Sequence, residues 1–330
     1  MSTVQAKKIN IVQAINMALH DAMELDSSVV VLGEDIADRE GGGVFKCTAG
    51  LSTRFGTGRV KSTPIAEQAI VGAAVGGALA GLRPVAEIML MNFTTVAMDQ
   101  IVNHAAKLRY MSGGQTHCPL VIRTMIGAGV NAAAQHSGVH YSVFTHMPGI
   151  KCVAPSTPAD ARGLLLTAIA DDDLVMFFEN KVLYAMKGEV PIEAEPIPFG
   201  VADIKREGSD VTIVAISRMV HQSLAAAKTL AAEGIEAEIV DPRTISPLDE
   251  ETILASVRKT HRLVVVDEDN PRCSVARDIA AMVADKGFDY LDAPIKTINA
   301  PHSPVPFSPA LEQLYVPSPE LIAETVRQLF

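Results

Sequence analysis

From end to end the sequence alternates nearly continuous apolar runs with segments of helical spacing, and few folds satisfy that alternation. SVVVLG (28–33), RPVAEIML (83–90), PLVIRT (119–124), IKCVAP (150–155) and LVMFFE (174–179) are the apolar runs of the first half. A strand wetted on one side alternates polar and apolar residues, so these runs predict strands of a parallel sheet covered on both faces. Residues 9–25, 67–82, 94–111 and 158–170 read as the covering helices. A proline-rich stretch, GEVPIEAEPIPFG (188–200), then interrupts the pattern and reads as a linker. Beyond it the alternation resumes with VTIVAI (211–216), EAEIVD (236–241), RLVVVDE (262–268) and IKTINA (295–300), separated by helices near 218–233, 249–259 and 273–286. The predicted fold class is α/β, with two doubly wound domains, 1–187 and 207–330, joined by a linker over 188–206.

Composition narrows the function classes. A chain of 330 residues that is 48% hydrophobic and 20% charged can bury a large core. Its formal charge of -10, with no long Lys/Arg run, argues against nucleic acid or an anionic membrane as the main partner. Cys47, Cys118, Cys152 and Cys273 show neither a CxxC pair nor metal spacing, which predicts buried free thiols in a reducing compartment. The opening residues lack a signal-peptide pattern, and the apolar run Ala69–Leu82 is too short to span a bilayer, so the expected location is cytoplasmic.

One stretch stands apart. In STPIAEQAIVGAAVGGALAGLRPVAEI (62–88), a single acid, Glu67, opens a segment made almost wholly of Ala, Gly, Val, Ile and Leu. An acid in a first helical turn is favoured by the helix dipole, so a capping role alone would explain its place. The glycines at 72, 76, 77 and 81 are costlier, at roughly 1 kcal/mol each relative to alanine, and predict a buried helix whose backbone something approaches closely. The cluster EGGGVF (40–45) has no strand-to-helix GxGxxG context, and no Walker loop is present. His136, His140 and His146 include an HxxxH pair without a third ligand, a pattern better suited to local hydrogen bonding or proton transfer than to zinc.

Six segments in order carry a resemblance over nearly the whole chain: TPIAEQAIVGAAVGGALAGLRPVAEIMLMNF (63–93), AAKLRYMSGG (105–114), PLVIRTMIGAG (119–129), AAAQHS (132–137), HMPGIKCVAPSTPADARGLL (146–165) and VDPRTISPLD (240–249). Together they resemble the beta subunit of the thiamine-diphosphate-dependent component of 2-oxo-acid (pyruvate-type) and acetoin dehydrogenase complexes. The resemblance implies a thiamine pyrimidine-binding domain followed by a transketolase-type C-terminal domain. It also implies a partner alpha subunit, in an assembly of two alpha and two beta chains, that holds the diphosphate and Mg²⁺ through a GDG…N motif. This sequence contains no GDG, in keeping with half of the cofactor site lying on another chain.

The resemblance assigns roles residue by residue. Glu67 matches the family's acid, which stabilises the protonated pyrimidine of the coenzyme, and Met89 and Phe93 fall where the family packs the pyrimidine ring. His136 matches a histidine at the mouth of the active site, where an acyl group leaves for the lipoyl arm of a separate acyltransferase core. Gly138 stands where many relatives have Gln. A structural K⁺, where the family holds one, matches Leu120, Ala168, Ile169, Asp171 and Asp173 through main-chain carbonyls. The expected substrate is a small 2-oxo acid or acetoin, with AAAQHS, PSTP and FFENKVLY closer to acetoin and pyruvate members. Three alternatives stand beside this: a branched-chain 2-oxo-acid dehydrogenase beta subunit, a non-catalytic scaffold of the same fold, and a self-sufficient transketolase-type enzyme. Length and the missing GDG argue against the last, and retention of Glu67 and His136 argues against the scaffold.

Overall fold

A computed structural model describes residues 5–330, which divide into two compact units: 5–126 with 144–199, and 127–143 with 200–330. In the first unit, six parallel strands lie in the order Lys151–Val153, Val175–Asn180, Val121–Ile126, Arg83–Leu90, Val29–Glu34 and Val60–Thr63. Val121–Ile126 and Val175–Asn180 are buried at every position, as their unbroken apolar character requires. The helices Ile11–Leu25 and Pro158–Ala170 pack on each other, and Glu67–Leu79 packs on Arg83–Leu90. The first of these helices starts at a reciprocal cap: Asn10 Oδ1 accepts from Gln13 N (2.8 Å) and Gln13 Oε1 accepts from Asn10 N (3.1 Å).

The second unit is built on four parallel strands, Lys296–Ile298, Leu263–Val266, Val211–Ala215 and Ala237–Asp241, with Asp203–Arg206 antiparallel at the edge. Helices Arg218–Ala231, Glu250–Thr260, Val275–Lys286 and Pro319–Arg327 accompany them. Among the described residues no helix is long and apolar enough to cross a membrane.

Several expectations are corrected. Part of the proline-rich stretch is structured: Lys187–Pro191 pairs antiparallel with Ala6–Asn10, its proline opposite Ala6 at the end of a two-stranded ribbon, where a missing N–H is tolerated. Residues 127–143 pack with the second unit although both neighbouring stretches belong to the first. The helix expected over 94–111 is broken into a 3₁₀ segment (Met91–Ala97), a π segment (Asp99–Ala105) and one α turn (Leu108–Met111). Cys273 is exposed, whereas Cys47, Cys118 and Cys152 are buried. The EGGGVF glycines, by contrast, lie in a loop as expected, and a tight one: Gly42 has φ +76°, and a Cβ there would lie 2.4 Å from the Ala49 Cα.

Candidate active site

Glu67 is the first residue of its helix and is buried, at 9% exposure, although its N-cap, Ala66, contributes no side-chain hydrogen bond. The helix is not enclosed as predicted. Gln68, Ala69, Ala73, Gly76 and Ala80 are exposed along one side, and apart from the helix's own backbone nothing lies within 4 Å of where a Gly76 Cβ would be. Within the unit the close approach falls elsewhere: a Cβ at Gly77 would lie 3.4 Å from Pro84 Cγ, and one at Gly72 would lie 3.6 Å from Gln100 Cγ. The helix packs on the strand bearing Met89 and on the 3₁₀ segment bearing Phe93. Both side chains are half-buried against the core, so each keeps an accessible surface.

Glu67 is not an isolated acid. Burial raises the proton affinity of Glu34, at the end of its strand, and the charges of Glu67, Asp35 and Glu87 raise it further. Glu87 in turn belongs to a buried triad spanning three neighbouring strands. Arg123, 1% exposed, donates from Nη1 to Glu87 (2.7 Å) and from Nε and Nη2 to Glu179 (2.7 and 2.9 Å). Tyr184 donates its hydroxyl to Glu179 at 2.5 Å, and burial holds the Glu179 carboxyl above its ordinary range despite the guanidinium. The side chains of Met89, Met125 and Phe45 flank these groups.

His136 closes a short 3₁₀ turn, Ala134–His136, and is exposed. The segment around it is fastened to the second unit by carboxylates. Glu268 accepts from Ala128 N (2.7 Å), Glu312 accepts from Gly129 N (2.7 Å) and Asn131 N (2.9 Å), and Ser142 Oγ donates to Asp269 (2.7 Å). Tyr141 donates to Asp267. His140 is half-buried, and desolvation lowers its proton affinity. No group of three or more His, Cys, Asp or Glu among the described residues is arranged to hold a metal.

The buried aspartates make a pH prediction. Desolvation raises Asp267 to about 6 and Asp269 to about 7, against about 3.9 for an unfolded aspartate. Between those values the folded chain binds protons that the unfolded chain lacks. The stability this pair contributes is therefore full below about pH 4 and lost as pH rises through the native values near 6 and 7. Asp269→Asn is expected to gain on the wild type in urea titrations as pH is raised from about 5 to about 8. A difference independent of pH would refute the assignment.

The expected K⁺ positions gather at the end of the helix Pro158–Ala170, where other partners already sit. The Leu120 carbonyl accepts from Val175 N (2.9 Å) and that of Ala168 from Asp171 N (3.3 Å). The Ile169 and Asp171 carbonyls accept from Arg83 Nη1 (3.2 and 2.9 Å). Lys151 Nζ holds the Asp171 carboxylate at 2.6 Å, and Arg109 holds that of Asp173 at 2.9 Å. Each carbonyl retains a second lone pair, so the donor chemistry fits K⁺, although cationic side chains already balance much of the acid.

Glu34, Glu87, Arg123, Glu179 and Glu312 are not among the residues the sequence singles out. For the first four the usable signal is the placement of charged residues within or at the end of otherwise apolar strands, as in RPVAEIML, PLVIRT and LVMFFE, whereas Glu312 lies on a helix and carries no such signal.

Comparison with known proteins places this geometry in context. Residues 7–187 match the transketolase pyrimidine-binding domain and residues 200–322 the transketolase C-terminal domain. The acetoin:2,6-dichlorophenolindophenol oxidoreductase subunit beta of Cupriavidus necator is 54% identical over 331 residues, covering 98% of both chains. The pyruvate dehydrogenase E1 component subunit beta of Rickettsia felis is 47% identical over 322 residues, again covering 98% of each. A solved structure described as a split-gene transketolase, inactive beta4 tetramer, superposes with a TM-score of 0.79 at 23% identity, covering 97% of this chain and 98% of that one, a likeness of fold.

Proposed function

Because this chain belongs to the family of beta subunits of thiamine-dependent 2-oxo-acid and acetoin dehydrogenases, we propose that it contributes the pyrimidine half of a thiamine diphosphate site shared with an alpha subunit, and that acetoin is its substrate. The observation that carries the reading is Glu67, a buried carboxyl with a second carboxyl, Glu34, close enough for its charge to raise that neighbour's proton affinity. The pair places two carboxyl groups at the head of a helix, where one of them can meet a ring nitrogen. The acetoin assignment is supported by the higher identity to the acetoin relative, 54% against 47% for the pyruvate relative.

When bound, the coenzyme supplies the electron sink that lets a carbon–carbon bond beside a carbonyl break. This chain's residues would do the rest. Glu67 would hold a proton at the pyrimidine ring nitrogen, keeping the ring in the tautomer that serves as base. Met89 and Phe93 present half-buried apolar surface that suits the flat ring and excludes water from it. His136, exposed on its turn, would give a proton to the sulfur released when a lipoyl disulfide accepts the acyl group. The carbonyls of Leu120, Ala168, Ile169 and Asp171, with Asp173 beside them, would hold a structural K⁺.

The exposed Gly/Ala side of the Glu67 helix allows a partner backbone to approach closely, which supports an assembly with alpha chains. The diphosphate and Mg²⁺ would lie on that partner. Titration calorimetry of the isolated chain with thiamine diphosphate and Mg²⁺ is accordingly expected to give no binding tighter than about millimolar, some 4 kcal/mol. Micromolar, Mg²⁺-dependent binding would sink the two-chain site. For the substrate, co-expression with the alpha subunit and a dye-coupled screen of acetoin, pyruvate and branched-chain 2-oxo acids decides. Acetoin is expected to give the highest kcat/KM, and a faster branched-chain substrate would overturn the assignment.

A further inference from the structure

Open α/β sheets bind ligands beyond the carboxyl ends of their strands, at the point where strand order reverses. In the second unit that point lies between Val211–Ala215 and Leu263–Val266, since the chain passes from the first of these to Ala237–Asp241 on one side and to the second on the other. The groups beyond those two strand ends are Arg218 and the run Asp267, Glu268, Asp269. They are engaged by the chain itself: Arg218 Nη1 donates to the Ala128 carbonyl (2.7 Å), Glu268 accepts from Ala128 N, Tyr141 donates to Asp267 and Ser142 to Asp269. Segment 127–143 thus occupies the crevice where a ligand would otherwise bind.

A clamp from another helix completes the hold. Glu312, on Pro309–Tyr315 and 3% exposed, accepts two backbone N–H groups, from Gly129 and Asn131. The backbone it grips is strained. Asn131 and Ala133 have φ +56° and +59°, and non-glycine residues keep such angles only where surrounding contacts impose them. Ala133 is the N-cap of the turn that ends in His136.

We propose that Glu312, at one end of this segment, and Tyr141, at the other, are positioning residues that fix the arm carrying His136 in the switch-point crevice of the second domain. The proposal rests on the reading of His136 as the residue serving acyl transfer. Neither residue acts on substrate. Glu312 holds the arm's backbone and Tyr141 anchors the arm through its hydroxyl to Asp267, so that the imidazole is presented in one place, and a misplacement of about 1 Å far from the chemistry can cost about 10²-fold in rate.

The test uses the full assembly with its alpha subunit and three variants, Glu312→Ala, Tyr141→Phe and His136→Ala. Amide hydrogen exchange over 128–133 reads whether the arm is held, and two assays read its use: acyl transfer to a lipoyl domain, and substrate cleavage with an artificial electron acceptor. Glu312→Ala and Tyr141→Phe are expected to speed exchange at least about 10-fold and to lower transfer by about 10- to 10²-fold, with cleavage falling less than about threefold. Unchanged exchange, or equal losses in the two assays, overturns the proposal. His136→Ala should lose transfer without any change in exchange. If His136→Ala leaves transfer intact, the reading of His136 fails and the positioning role falls with it, even where exchange shows the arm held.

Discussion

In the assembled enzyme, Glu67→Gln is expected to lower turnover by about 10²-fold or more, the scale on which a lost acid–base group is felt. Glutamine preserves volume and one acceptor but cannot share a proton with a ring nitrogen. Coenzyme binding should survive, because the diphosphate and apolar contacts are untouched, so the loss belongs in kcat and not in the coenzyme's Kd. The variant should also make Glu34 easier to ionise, since removing the Glu67 charge removes one of the causes that raise it. Steady-state kinetics at saturating coenzyme, with coenzyme titration by calorimetry, separates these effects. Near-normal turnover would return Glu67 to the role of a helix-end acid.

The second large effect is structural. Arg123→Met is expected to destabilise the first domain by about 3–5 kcal/mol, because it leaves two carboxylates without the cation they share. Arg123 and Glu179 are each 1% exposed, so water cannot substitute for the lost partner. The sign with pH follows from the same physics. Without the guanidinium, the buried Glu179 escapes the penalty only by protonation, so the variant's deficit should be smaller at about pH 5 than at about pH 8. Adding Glu179→Gln to Arg123→Met should recover part of the loss. Urea unfolding followed on the first domain measures all three points, and a deficit under about 1 kcal/mol, the scale of an exposed pair, would show that the triad is hydrated.

These charged groups mark the boundary of what periodicity reveals. Glu67 stands out in the sequence because an acid heading an Ala/Gly/Val helix is conspicuous within a short window, whereas Met89 and Phe93 are singled out only by the family resemblance. Arg123 lies 36 residues from Glu87 and 56 from Glu179, and nothing in any window couples them. They meet because the sheet places Val121–Ile126 between Arg83–Leu90 and Val175–Asn180.

Glu312 and Gly129, 183 residues apart, are a more extreme case. His136 drew attention as a residue type, but the acids that hold its segment looked like ordinary surface charge until the fold buried them. The helix expected over 94–111 failed differently: its apolar spacing is helical, yet the backbone takes up 3₁₀ and π turns beside the Glu67 helix, where Gln100 packs against Gly72.

By itself, then, the sequence determined the two α/β domains, most of their buried strands and the acid at the head of its helix. These follow from hydrophobic periodicity and residue chemistry, which are local along the chain. Tertiary structure alone decided which carboxylates share Arg123, that Cys273 faces solvent, that one side of the Glu67 helix is open, and that residues 127–143 pack with the second domain. The physical reason is that strand order and chain crossover set which distant groups meet, and burial then turns ordinary charges into strong interactions.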